Sequence, residues 1–205
     1  MSIFHDLSKS PAHEKLSALL NIDIELQRRI GTFVVMSSMV EMGVETLAVS
    51  LKNEPIGDEP IWTDKKQISD LIKDTQKLCG GIEHADFRNL TASALDAIND
   101  MLTIRNTLVH GRPFSFTTGN VPHLLRNATW FGEKRTREET ALRLDLPSLD
   151  RAIELMDGLH TIINRIITAV ISPRKIGHAI EKAPELSKVR ELAAEMKEKV
   201  LQALV

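Results

Sequence analysis

Apolar residues recur at three- and four-residue spacing through most of the chain, the period of an α-helix with one face in a core. The first such run starts at Ser10-Pro11-Ala12-His13-Glu14, where Pro occupies the first helical position and an acid follows in the first turn. No other Pro occurs before Pro55, so one long helix is expected from about residue 12 to Lys52, with Gly31 the place for a break. Pro and Gly in residues 53–60 mark a loop. Thr63-Asp64-Lys65-Lys66-Gln67 is expected to cap a second helix that ends near Leu78 at Gly80-Gly81. A third helix is expected from near His84 to His110, with Gly111 as its stop and Pro113 beyond. The stripe Leu149, Ile153, Met156, Leu159, Ile163, Ile166 and Val170 defines a fourth, opened by Pro147-Ser148 and closed by Ser172-Pro173. An amphipathic helix follows over about residues 183–204.

The period changes between the third and fourth helices. Leu124 to Phe131 and Thr140 to Leu146 are short β-compatible runs on either side of the polar stretch Gly132 to Arg137, and the second alternates apolar with polar. This predicts a β-hairpin inserted at about residues 124–146. The expected fold is all-α, an up-down antiparallel helical bundle in a single domain over residues 1–205, carrying that hairpin and the extra C-terminal helix.

Composition adds bounds rather than a function. The 42% hydrophobic and 26% charged fractions are those of an ordinary soluble globular domain. A net charge of −2 removes any overall electrostatic case for nucleic-acid binding while leaving room for a local basic site. Cys79 is the only cysteine, so a disulfide within the chain is excluded, and a reducing cytoplasm fits best. The first residues lack an apolar core behind a basic start, so no signal peptide is expected. Ser37, Ser38, Glu41 and Glu45 interrupt the apolar stretch from Ile30 to Val49, which argues for a buried bundle helix and against a membrane span.

Candidate chemistry concentrates in Arg105-Asn106-Thr107-Leu108-Val109-His110-Gly111. Arg presents a permanent cation with a fork of donors suited to phosphate, and His moves protons near neutral pH. An Arg followed four to six residues later by His is expected about once by chance in this composition; requiring Asn after the Arg lowers that to about 0.05. At 100° per residue Phe87, Thr91, Ala94, Ile98 and Met101 share one stripe, and Arg105 falls near its centre. A cation there needs an anion or polar acceptors. His110 lies roughly 140° round from it, so the pair converges only if the helix unwinds at Gly111 or a second copy faces the first.

Arg-Asn-x-x-x-His-Gly at the end of the third helix of a bundle resembles the HEPN superfamily. The resemblance covers residues from about 12 to 171, with its specificity confined to Arg105–Gly111. It implies a helical bundle that dimerises with two motif helices facing across a two-fold axis. It also implies metal-independent endoribonuclease activity of the toxin–antitoxin, defence or RNA-processing kind, although some members are non-catalytic. Arg105 and His110 match the family's catalytic pair, and Asn106 the polar residue after the Arg. A homodimer, an RNA substrate and an antitoxin or other protein partner are the implied partners, with no cofactor, metal or membrane.

The alternative reading is structural. Arg105 pairs with a carboxylate on the first helix, Glu41 or Glu45, and His110 simply caps the helix end. The hairpin's basic residues Lys134, Arg135 and Arg137, with Arg112 and Arg126, are candidates for tracking an RNA backbone, or else a solvated turn nearly neutralised by Glu133, Glu138 and Glu139. The remaining histidines are scattered without the spacing of a metal site. Cys79 beside Gly80-Gly81 reads as a small buried residue.

Overall fold

The computed structural model describes residues 24–52, 66–114, 123–126, 140–143, 145–181 and 183–202. Helices dominate them: α1 (Ile24–Lys52), α2 (Ile68–Leu78), α3 (Ala85–His110), α4 (Leu146–Ile171), the short α5 (Ile176–Ile180) and α6 (Ala183–Gln202). Single 3-10 turns, Cys79–Gly81 and Pro173–Lys175, lead out of α2 and into α5.

The long periodic runs fold as read. α1 passes through Gly31 and Gly43 without a break; its expected start at residues 10–14 lies outside the described residues. α3 begins on N-cap His84 and ends at His110. α4 begins one residue before Pro147 on N-cap Asp145, whose carboxylate accepts the Ser148 amide at 2.9 Å. That bond satisfies one of the amides a helix start leaves open. α2 differs from expectation: it starts at Ile68 behind Gln67, with no side-chain cap.

The packing directions also differ from an up-down antiparallel bundle. α1 lies along α4 as the most extensive pairing, and Arg29–Asp150 together with Gly43–Ile163 shows the two running parallel. Arg190–Ser93 and Lys197–Asp100 show the same for α6 on α3. α4 and α6 are antiparallel, joined by Arg151–Glu195 and Arg165–Glu185. Short connections force antiparallel neighbours, but α1 and α4 are separated by two helices and the strand region, so that constraint does not reach them.

A β-sheet stands where the hairpin was expected, in a different form. Strands β1 (Arg112–Phe114), β2 (His123–Arg126) and β3 (Thr140–Arg143) form an antiparallel sheet in the order β1-β2-β3. Where a two-stranded hairpin over about residues 124–146 was expected, the described residues form three strands, and residues 127–139 and 144 of that span lie outside them. The first strand follows the third helix directly, and the turn at residues 132–137 lies outside the described residues. The sheet packs on α3 and α6.

One core unites the helices. Phe33, Val40, Val44 and Leu47 of α1 meet Leu155, Leu159, Ile163 and Ile166 of α4, with Phe87, Leu95, Ile98 and Met101 of α3. At Gly43 the backbones come so close that an added Cβ would lie 2.8 Å from Ile163 Cγ2. By length and composition α1 is apolar enough to cross a membrane, with a mean hydropathy of 1.4 over its most apolar stretch, of which 33% is buried in the bundle. Its outward side therefore keeps apolar residues exposed, Val35 and Met42 at 60% each.

Candidate functional site

The motif occupies the last turns of α3, and the ideal period dictates what each residue faces. Phe87, Thr91, Ala94, Ile98 and Met101 are all buried, and Arg105 continues their stripe as it approaches the surface. Thr107 and Leu108 are buried, Arg105 and Asn106 are half-buried, and Val109 and His110 are exposed. Thr107 returns its hydroxyl to the Thr103 carbonyl at 2.8 Å, so this buried polar group is satisfied within the helix. The Gly111 amide donates to the Thr107 carbonyl at 2.8 Å, and Gly111 itself is extended (φ −69°, ψ 149°). The helix thus reaches His110 intact and passes straight into β1, without the left-handed turn that a terminal glycine often makes. With no unwinding, Arg105 and His110 stay roughly 140° apart.

Arg105 has two partners. Its Nη1 donates to Asn106 Oδ1 at 3.0 Å, so the Asn orients the guanidinium. Its Nε lies 3.2 Å from Glu41 Oε1 on α1, with side chains 26% and 23% exposed. That contact is an ion pair without an aligned hydrogen bond, because Glu41 Oε1 is buried and accepts none. Burial raises the Glu41 carboxyl above its ordinary value, outweighing the attraction of Arg105, and Glu45 adds a like charge. Of the two acids expected to meet Arg105, Glu41 is the one in contact. Among the described residues, Asn106 and Glu41 are the groups that engage the guanidinium.

The exposed surface of α1 near the pair is mixed, with Ser38 and Glu45 on the side toward Glu41. On α1, Gly31, Val35, Ser38 and Met42 are exposed at i, i+4, i+7 and i+11, which is one stripe, and Glu41 flanks it. Val35 and Met42 lie about 120° and 100° round α1 from Glu41, and Val109, 42% exposed, lies on the motif itself.

The basic candidates are only partly placed. Arg112 is the first residue of β1, opposite Leu125, and Arg126 pairs with Thr140 across β2 and β3. Their backbones thus share one sheet at the end of α3, while Lys134, Arg135 and Arg137 lie outside the described residues. Among the described residues no group of three or more His, Cys, Asp or Glu is arranged to hold a metal. Cys79 is buried and free, its thiol pushed up to about 11 by burial, which leaves it unreactive.

No family model, curated protein or solved structure matches this chain.

One cluster escaped sequence reasoning. His160 and His178, unremarkable in the sequence, line a groove together with Arg165, Arg174 and Lys175. The only signal in the sequence is the basic pair after Ser172-Pro173, which reads equally well as a helix end.

Proposed function

We propose that this chain is a metal-independent endoribonuclease whose active site forms when two copies pack with the ends of their α3 helices face to face. The observation that carries the reading is Arg105: a half-buried guanidinium, oriented by Asn106, at the open end of an intact helix that presents His110 on a different side. One chain offers half a site. Two chains supply two His and two Arg, and Val109, 42% exposed on the motif itself, is apolar surface that a second copy would cover.

The chemistry follows from this division. His110 of one copy takes the proton from a ribose 2′-OH, whose oxygen attacks the adjacent phosphorus. His110 of the second copy protonates the departing 5′-oxygen, and both Arg105 side chains carry the charge of the phosphorane. The products are a 2′,3′-cyclic phosphate and a 5′-OH. A toxin, defence or RNA-processing role in the cytoplasm, with an antitoxin or similar protein as regulator, accords with such an activity.

A second reading has an observation of its own. Glu41 already provides Arg105 with an anion, as a purely structural arginine requires, and the chain is then a non-catalytic helical interaction or regulatory protein using the same face. Arg105→Ala separates the two. The nuclease reading expects a folded dimer whose RNA cleavage falls by a factor of about 100 or more. The second expects lower stability and no RNA cleavage by either form.

A further inference from the structure

A groove of about 640 Å³ opens between the C-terminal half of α4 and the turn into α5. Its size is that of a small-ligand site. Its charge leans positive. Arg165, on α4, is anchored by Glu185 at 2.8 Å, whereas Arg174 and Lys175, exposed on the 3-10 turn, form no ion pair among the described residues. Three cations therefore stand near two carboxylates, Glu185 on Arg165 and Glu181 at 3.5 Å from the groove-lining His178, leaving about one positive charge unbalanced. His160 forms the wall, its Nε2 in a hydrogen bond of 2.9 Å with Asn164 Nδ2 that holds the ring in place.

The groove is separate from the motif. Glu185 stands in the first turn of α6, which runs parallel to α3 with Arg190 beside Ser93. The groove is lined from the side of α4 that holds His160, Asn164 and Arg165, whereas Ile163 on another side of α4 meets α1 at Gly43, near Glu41 and Arg105.

We infer that this groove binds a nucleoside diphosphate. Arg174 and Lys175 on one short turn, with Arg165 behind them, match the compact charge of a diphosphate. The held imidazole of His160 gives a base a flat partner. An RNA strand fits less well, because its phosphates call for cations strung along a track, and Arg174 and Lys175 share one short turn.

The test is calorimetric titration of the full chain with ADP, GDP, UDP and CDP, beside adenosine, inorganic phosphate and a ten-nucleotide single-stranded RNA. At least one diphosphate should bind below millimolar, adenosine should not, and the double variant Arg174→Glu, Lys175→Glu should weaken Kd at least tenfold at an unchanged unfolding temperature. If charge reversal lowers that temperature, Arg174→Ala with Lys175→Ala replaces it, with the same loss expected. Absence of binding by all four diphosphates overturns the inference, as does binding insensitive to the variant. Inorganic phosphate or the RNA binding through these residues more tightly than every diphosphate overturns it too.

Discussion

Glu41 is the residue on which the candidate site turns, and its protonation has a definite sign. Below about 4.5, its ordinary value, the carboxyl is protonated in both folded and unfolded chains. As pH rises the unfolded chain ionises first, since burial holds the folded pKa higher, so stability contributed by Glu41 is lost through the folded pKa. Glu41→Gln removes that titration. Urea unfolding at pH 4 and pH 7 should show the wild type losing stability relative to Glu41→Gln as pH rises, and a difference constant with pH contradicts this. The need for such a partner was legible, because the helical phase puts Arg105 on a core stripe. The choice between Glu41 and Glu45 was not, because it depends on how α1 crosses α3, and no local pattern encodes that angle.

At the scale of elements, the long helices were legible because each carries its own evidence. The stripe of α4 and Pro147-Ser148 at its opening mark one helix from within, and the core positions of α3 do the same for another. Asp145→Ala deletes the side-chain cap of α4 and should lower stability by about 1 kcal/mol, read from thermal unfolding. The sheet was less legible: Arg112-Pro113-Phe114 reads as the aftermath of a helix, and only pairing with β2 makes it a strand. The parallel packing of α1 on α4 had no sequence signal, since it joins segments about 120 residues apart. Gly43 is its one trace. Gly43→Ala drives a methyl group against Ile163 and should cost about 1–3 kcal/mol. Because the cause is a clash with that side chain, the double variant with Ile163→Ala should cost less than the sum of the two single changes.

At the scale of the whole molecule, what remains is the face that α1 and the end of α3 share. A chain of 22.9 kDa leaves Val35 and Met42 exposed on α1 and Val109 exposed on the motif. If two copies meet there, charge on that stripe should separate them. Val35→Glu with Met42→Glu should leave the unfolding of the chain intact, halve the mass seen by light scattering, and abolish cleavage, since the composite site cannot assemble. A monomeric wild type contradicts the account before any substrate is added. The most direct measurement is incubation of the purified chain with single-stranded RNA in EDTA, beside His110→Ala. The account predicts cleavage by the wild type that leaves 2′,3′-cyclic phosphate ends, and none by a His110→Ala protein that is still folded and dimeric. An intact RNA population with the wild-type dimer, or equal cleavage by His110→Ala, contradicts it.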